Sequence, residues 1–268
     1  MKHLILLFLL STVLFSCQQG PKHPQAALLS QQSPAAMTPQ EIVQYADSIE
    51  TGLGVLDKAV SLIYLSGENS FHVEKYGING KPLIIVKQSK NEGISTSTDK
   101  YYFKNDSLVL VRHLAASTKG SNDAVKNKRI FIRNNVPFKE DVRTAAKQTE
   151  LAKLPFQEYR NAKLASTNYA DSLLILNDAL AGTNNFEMVF DQYIAAEAGS
   201  YLLLKSKLPG GYTASVKVNG RDPFIDSVET DPSVFKDTKL SFKWDLKNNE
   251  VLYVPVPVKV TSANGLNR

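Results

Sequence analysis

Apolar and polar residues alternate with a period of two between residues 70 and 133, and this pattern limits the fold more than any other feature of the chain. Successive side chains of a β-strand point to opposite faces, so the alternation predicts strands. Asn105-Asp106 separates two of the apolar segments and is typical of a hairpin turn. We therefore predict a five-stranded antiparallel meander, with polar loops over residues 89–99 and 117–127. Its strands are expected at residues 71–76, 83–86, 101–104, 108–111 and 129–133.

A helix is predicted immediately before the meander. Thr38 can cap it, Pro39 suits its first position, and Glu41 completes a capping box. Apolar residues then recur at spacings of four and three, which places them on one stripe of a helix that runs to about residue 65. Gly52 and Gly54 weaken a coiled coil and favour a helix that bends there and packs on the sheet. The stripe consists of Ile42, Ala46, Ile49, Leu53, Leu56, Val60 and Ile63.

Two further helices are predicted between the meander and residue 182. The first covers residues 142–154 and ends before Pro155, which cannot continue a helix. The second begins at Asn168 as its cap, and Gly182 ends it. Residues 83–86 are apolar on both faces of their strand, so the second face of the meander must also be covered, and these helices are candidates to cover it.

After Gly182 every segment is predicted to be a strand. Asn219-Gly220 is the strongest hairpin dipeptide in the chain. In the last segment, Pro255 and Pro257 remove two donors from the same side, which predicts an edge strand. Six or seven short strands at this spacing favour a β-sandwich or a small barrel. The segments are residues 186–190, 201–204, 213–218, 221–228, 240–244 and 251–260.

The predicted fold class is therefore α+β. An N-terminal helix packs on an antiparallel β-meander, and helices and a C-terminal all-β sandwich-like domain follow. We place the first domain at residues 39–182 and the second at residues 183–268. Residues 18–38 are rich in Gln, Pro, Ala and Ser without periodicity, and they predict a flexible tether.

The first seventeen residues predict export. Lys2 and His3 precede an apolar run over residues 4–15, which as a helix covers about 18 Å and is too short to span a bilayer. A basic start followed by such a run is typical of a secretory signal. No other stretch is long and apolar enough to span. One interpretation of this leader is an ordinary cleaved signal, in which the cysteine that follows the apolar run has no special role.

Leu14-Phe15-Ser16-Cys17, which contains the single cysteine of the chain, resembles the lipobox of bacterial lipoproteins. The resemblance implies that cleavage leaves Cys17 at the mature N-terminus, carrying acyl chains such as palmitate. Several acyl chains together hold a protein firmly at a membrane. The expected location is the cell envelope, in the outer membrane of a Gram-negative bacterium, with the membrane as a partner. Once Cys17 is acylated, no disulfide can form.

The net charge of +5 is concentrated in one segment, residues 119–147. A basic segment on a membrane-tethered protein predicts contact with anionic lipid head groups or with an acidic envelope polymer. A solvated face with mixed loops is the alternative. Nucleic acid is not an expected partner, because no recognition motif is present. The cations are Lys119, Lys126, Lys128, Arg129, Arg133, Lys139, Arg143 and Lys147, opposed by Asp123, Glu140 and Asp141.

The sequence contains no standard catalytic, nucleotide-binding or metal-binding motif, and it predicts no cofactor. His72 and His113 lie on meander strands, and a site that combines them with Glu74 is one hypothesis; an imidazole at a surface or interface is the other.

The tyrosines Tyr76, Tyr101 and Tyr102 predict a stacking face for sugar or peptide, although aromatic residues more often pack in a core.

A short pattern recurs at Ser48, Ser107, Ser172 and Ser227. Each serine follows an aspartate and precedes an aliphatic residue. The pattern resembles the acceptor of the O-glycosylation system of exported Bacteroidetes proteins. The alternative is structural, because Asp-Ser is common at turns and helix starts. Ser107, at a predicted hairpin tip, is the most accessible of the four.

Three functions remain open from the sequence. The first is a lipid-anchored envelope protein that binds a protein or glycan partner without catalysis. The second is a hydrolase or lyase acting on cell-wall material or envelope polysaccharide, with residues near His72 and Glu74. The third is a structural subunit of a surface complex, with the basic segment as its contact.

Overall fold

The computed structural model describes residues 33–117, 124–160, 164–197 and 199–256, in which antiparallel β-structure dominates. The helices here are α1 (Pro39–Thr51), α2 (Gln148–Leu151), α3 (Ala170–Ala181) and α4 (Pro223–Thr230). The strands are β1 (Asp57–Val60), β2 (Tyr64–Ser66), β3 (Asn69–Ile78), β4 (Lys81–Asn91), β5 (Ser95–Lys104), β6 (Ser107–Ser117), β7 (Ala124–Arg133), β8 (Val136–Ala145), β9 (Gln157–Glu158), β10 (Met188–Ala196), β11 (Gly199–Ser206), β12 (Thr213–Val218), β13 (Lys243–Lys247) and β14 (Glu250–Val254). Among the described helices, none has the length and apolar character needed to cross a membrane.

Strands β3 to β8 form the predicted antiparallel meander, in which each strand pairs with the next along the chain. Three of its hairpins turn on pairs of residues with positive φ, as the tight hairpin turn requires, and the first of these pairs is Asn79-Gly80. Asn105 and Asp106 have φ values of 49° and 61°, and Asn134 and Asn135 have values of 51° and 63°. The meander is therefore confirmed, and it contains a sixth strand, β8, that the sequence did not predict.

Both faces of the meander are buried. On one face, Ile84, Tyr102 and Phe131 pack beneath α1. On the opposite face, Val73 and Ile130 pack against α3, α4 and strands β10 to β12. We call these the α1 face and the core face. The prediction that the second face is also covered is confirmed.

Helix α3 is also confirmed. The side chain of Asn168 accepts a hydrogen bond from the amide of Ala170, and Gly182, with a φ of 62°, ends the helix. On the buried side of the helix, the carbonyl oxygen of Ala179 accepts a hydrogen bond from the hydroxyl of Tyr64 at 2.8 Å. This bond ties α3 to β2 and the core face.

The C-terminal strands join the same sheet. Thr213 of β12 pairs with Leu65 of β2, and β10, β11 and β12 are antiparallel neighbours. The β13–β14 hairpin attaches through Lys217 and Leu252. A β-rich antiparallel fold is therefore shown, whereas the boundary between residues 39–182 and 183–268 stays a prediction.

The first helix is shorter than predicted. It begins with the expected capping box between Thr38 and Glu41, but it ends at Thr51, where Gly52 forms the cap instead of a bend. Of the remaining stripe residues, Leu53 lies in a 3-10 turn, Leu56 directly precedes β1, Val60 ends β1 and Ile63 directly precedes β2. Both strands pair with β3. The helical spacing of these residues was misleading because backbone pairing with β3 outweighs a short local pattern.

Two predictions between residues 89 and 154 are wrong, and a third, the loop at residues 117–127, is contradicted at both ends, because residue 117 belongs to β6 and residues 124–127 belong to β7. The loop at residues 89–99 is a hairpin, because Asn91 of β4 pairs with Ser95 of β5 and Gly93 supplies a φ of 70°. Of the helix predicted at residues 142–154, residues 142–145 instead belong to β8, and the one helical turn is α2. Both segments are polar on half-exposed strands, where the alternation of apolar residues is weak.

The strand predicted at residues 221–228 is instead helix α4. Asp222 caps this helix by accepting a hydrogen bond from the amide of Ile225, and Pro223 occupies the first turn. These helix-start signals outweigh the hairpin dipeptide before them. Asp222 also accepts hydrogen bonds from the hydroxyl of Tyr253 and the amide of Val256. The strand predicted at residues 251–260 ends at Val254, and residues 257–260 lie outside the described part.

Residues 1–32, with the predicted leader, Cys17 and most of the predicted tether, lie outside the described residues. The tether was predicted to reach residue 38, yet Met37 is 3% exposed and packs in the core beneath α1. The packed part of the chain therefore begins before α1.

Candidate functional site

A half-buried charge network joins α1 to the α1 face of the meander. Glu50 accepts hydrogen bonds from Lys100 at 2.6 Å, from Arg112 at 2.7 Å and from the hydroxyl of Tyr102. Arg112 also donates to Asp47 at 2.6 Å. Burial alone would raise the pKa of Glu50, but these donors and charges lower it below its usual value. The network fixes α1 and holds Arg112 in place.

Arg129 and Arg143 lie on the α1 face beyond this network. Arg112 lies directly opposite Arg129, and Arg143 follows on β8. Burial lowers the pKa of Arg129 and Arg143, and neighbouring arginine charges lower it further. The guanidinium carbons of Arg129 and Arg143 lie over the ring of Phe156, 3.6 and 4.3 Å from its centroid. Positive charge is therefore concentrated at a half-buried place on the sheet.

An open cleft of about 530 Å³ lies between the start of α1 and strands β7 and β8. Lys139 pairs with Asp141 at 3.2 Å inside it, and the capping box already binds the amides of Thr38 and Glu41 at the start of α1. Recognition of an anion there would therefore fall to Arg129. We call this the arginine cleft. Its lining residues are Thr38, Pro39, Gln40, Val43, Arg129, Phe131, Lys139 and Asp141.

Arg129 differs from the other two arginines in its hydrogen bonding. Arg112 donates to the carboxylates of α1, and Arg143 donates to carbonyl oxygens at the C-terminal end of α2. For Arg129, the described residues provide no hydrogen-bond acceptor; it is half-buried against Phe156. A guanidinium partly removed from water without an acceptor is costly, so this position is suited to an added anion.

The predicted tyrosine face does not exist. Tyr101 and Tyr102 are 7% and 0% exposed, so the prediction that they form a binding surface is wrong. Tyr101 packs on the core face and Tyr102 bonds to Glu50. Tyr76 is half-buried and donates its hydroxyl to Glu74 at 2.9 Å. The aromatic pattern marked packing positions on both faces of the sheet.

The two histidines do not converge. His72 lies on the α1 face with Glu74, whereas the strand register places His113 on the core face, where it pairs with Asp99 at 2.5 Å. Lys58 already binds Glu74 at 2.7 Å. Burial lowers the pKa of His72, and within the described residues its Nε2 has no partner. The geometry offers no shared site for the two imidazoles.

The four candidate glycosylation serines differ in position. Ser107 begins β6 beside the hairpin turn and is half-buried, so the prediction that it is the most accessible of the four is wrong. Ser48 and Ser227 are exposed, but they lie within α1 and α4 and donate to carbonyl oxygens of the preceding turn. Ser172 is half-buried in α3. Modification at these serines stays a prediction.

The sequence located Arg129 and Arg143 within its basic segment but missed Arg112 and Phe156, which lie outside that segment and meet them only in the folded sheet. Within the described ranges, no three His, Cys, Asp or Glu side chains converge as a metal site. Acylation of Cys17 lies outside those ranges and stays a prediction. Comparison with protein-family models, with curated proteins and with solved structures finds no match for this chain.

Proposed function

We propose that this chain is a lipid-anchored protein of the cell envelope that binds an acidic envelope glycan through the arginine cleft, without catalysis. The observation that carries the proposal is Arg129, whose half-buried guanidinium stacks on Phe156 and has no acceptor among the described residues. A carboxylate or phosphate group of a polymer would supply that acceptor, and guanidinium groups bind such anions in a bidentate geometry.

The shape of the site favours a glycan over a flat lipid surface. Arg129 lies in a recess beside Gln40, whose side-chain amide suits the hydroxyls of a sugar. Head groups of a bilayer lie in a plane and reach a recess poorly. An acidic segment of an envelope protein is the competing partner, and the binding test below separates it from a glycan.

The predicted anchor lies before the arginine cleft in the chain. Arg133 donates to the carbonyl oxygen of Met37 at 3.2 Å, so the described chain enters beside this cleft. Residues 18–32 separate Cys17 from the described part, and an extended segment of that length spans at most about 50 Å. Mass spectrometry of the protein from its native host is expected to find a mature chain that begins with acylated Cys17. An unacylated thiol at residue 17 would contradict the anchor.

Replacing Arg129 by glutamine is expected to weaken binding of the mature chain to alginate, a polymer of uronic acids, at least tenfold. This corresponds to about 1.4 kcal/mol of binding free energy. Stability should change little, because repulsion from Arg112 and Arg143 opposes the attraction of Asp47 and Asp141 to this cation. Isothermal titration calorimetry at low and at physiological salt measures the affinity for alginate and how far salt weakens it by screening the charges.

The matched control is Arg221→Gln. Arg221 is exposed beside α4 and pairs with Asp226 and Glu229, so its loss removes the same charge at a different place. We expect this variant to bind like the wild type. Equal losses in both variants, or tighter binding to anionic vesicles or to poly-glutamate than to alginate, would overturn the proposal.

A further inference from the structure

Strand β10 forms one edge of the sheet, and part of its outer side is open. At the start of the strand, the amide of Phe190 donates to Thr238, and the carbonyl oxygen of Phe190 accepts from the amide of Asp237. Beyond this contact, the part of the chain that the structure describes pairs residues 192–196 with β11 alone. An unpaired strand edge is a template for another strand. We call residues 192–196 the open edge.

The strand pairing shows which backbone groups of the open edge point outward. Ala196 pairs with Gly199, only three residues further along the chain. A pair this close must be of the hydrogen-bonded kind, because the alternative requires a bond between the two adjacent residues inside it. Hydrogen-bonded pairs alternate along an antiparallel ladder, so Ile194 also bonds to β11. The N–H and C=O groups of Tyr193 and Ala195 therefore point away from β11.

The open edge also lacks the charged side chains that usually protect a strand edge. Strands β1, β9 and β13 likewise pair with one strand each in the described structure, and all three carry charged residues. The open edge reads Gln-Tyr-Ile-Ala-Ala. Tyr193 packs against the core, so Ile194 lies on the opposite face of the strand, where it is 37% exposed. This segment is therefore suited to pairing with a further strand.

We infer that the open edge pairs antiparallel with the open edge of a second copy of this chain, about a two-fold axis at Ile194. In this register Tyr193 of each copy lies opposite Ala195 of the other, and their outward N–H and C=O groups exchange hydrogen bonds. The two Ile194 side chains meet on the axis at a non-hydrogen-bonded position, where facing side chains are closest. Both copies use the same surface, so the assembly closes as a dimer.

Two features favour a second copy over an unrelated strand. Because the outer side of Phe190 is already paired, an added strand has room only beside the open edge, and the same short segment of a second copy matches that length. In the antiparallel register, exposed Glu197 of one copy comes near Asp191 of the other, where the exposed ammonium of Lys236 binds Asp191 at 2.7 Å. Lys236 can then bind Glu197 as well. The contact is small, so we expect a reversible equilibrium between monomer and dimer.

A disulfide across the two-fold axis tests this register directly. The mature chain carrying Cys17→Ser has no other cysteine, so Ile194→Cys adds a single thiol. Facing residues on the axis lie within the Cα separation of about 4.4 to 6.8 Å that a disulfide requires. Gln192→Cys, on the same face of β10, is the matched control, because its two copies would lie about 14 Å apart.

We expect oxidised glutathione to link Ile194→Cys into a covalent dimer at least tenfold faster than Gln192→Cys. Electrophoresis without reductant measures both rates. Equal rates, or faster linkage in Gln192→Cys, would overturn the inference.

Sedimentation velocity of the mature chain carrying only Cys17→Ser measures the reversible contact. We expect its weight-average mass to rise with concentration toward that of a dimer. Ala195→Pro removes an outward N–H that β11 does not use, so the fold should persist while the dissociation constant of the dimer rises at least tenfold. Ala195→Ser keeps the donor and should associate like the parent chain. A monomeric mass at every concentration, or unchanged association in Ala195→Pro, would contradict the pairing of two open edges.

Discussion

Replacing Glu50 by alanine is expected to lower the free energy of unfolding by about 3 kcal/mol, because three donors lose their shared acceptor. These donors are Lys100, Arg112 and the hydroxyl of Tyr102. The Glu50 side chain is 28% exposed, so water can replace only part of what is lost. Denaturant unfolding at pH 7 measures the change. Because Glu50 also holds Arg112 beside Arg129, this variant should loosen the arginine cleft.

Two variants calibrate that result. Glu68→Ala removes the same side chain from an exposed turn between β2 and β3 and should change stability by less than about 0.5 kcal/mol. Tyr102→Phe removes one donor and should destabilise by about 1 kcal/mol. A loss for Glu50→Ala no larger than that for Glu68→Ala would mean that solvent screens the network.

The contribution of Glu50 should also depend on pH. The pKa of Glu50 is lowered in the folded chain. Glu50 therefore stabilises the folded state fully above the ordinary carboxylate pKa of about 4.3. The stabilisation is lost as pH falls through the lowered folded-state pKa. The stability difference between the wild type and Glu50→Gln should therefore shrink below about pH 4.

Replacing Tyr64 by alanine is expected to lower the free energy of unfolding by about 3 to 5 kcal/mol, because a large buried ring leaves a cavity. Tyr64 is 1% exposed and lies between the rings of Phe71, Phe186 and Tyr212, with centroid distances of 5.6, 4.8 and 5.8 Å. Tyr64→Phe keeps the ring and loses the bond to Ala179, so it should destabilise by about 1 kcal/mol.

The same variant tests how the two predicted domains unfold. Tyr64 lies on β2, where the meander meets β12, and Trp244 reports on the C-terminal strands. We expect tryptophan fluorescence and far-ultraviolet circular dichroism to give coincident unfolding transitions in the wild type and in Tyr64→Ala. Separate midpoints would support independent domains at residues 39–182 and 183–268.

Local signals with a strong physical cause predicted their elements correctly. The capping box at Thr38 and Glu41 began α1, Gly182 ended α3, and Asn105-Asp106 formed its hairpin. Each signal satisfies backbone groups within a few residues and so depends little on the rest of the fold.

Tertiary pairing explains the errors. The apolar stripe after Thr51 was consistent with a helix, but β3 pairs with residues 57–60 and 64–66, which divide this segment into two short strands. The polar ends of β4 and β5 carry little alternation, and their pairing follows from strands already in register. At residues 221–228, a helix cap at Asp222 outweighed the hairpin dipeptide. A single sequence shows the local preference of each segment for helix or strand. It does not show which strand will pair with that segment in the folded chain.

The candidate site was only partly predictable for the same reason. The basic segment pointed to Arg129 and Arg143 in sequence, whereas Arg112 and Phe156 join them through strand register and a loop contact. The tyrosines were chosen for their chemistry, but burial removes Tyr101 from contact with solvent. Residue type predicts what a side chain can bind, and packing decides whether it can be reached.

Amide hydrogen exchange of the mature chain, with and without alginate, shows directly whether the arginine cleft is the binding surface. We expect slower exchange at residues 38–43 and 139–141, which border Arg129, and we expect Arg129→Gln to abolish this protection. Protection confined to other parts of the chain, or protection that persists in Arg129→Gln, would contradict the proposal that this cleft binds an acidic glycan.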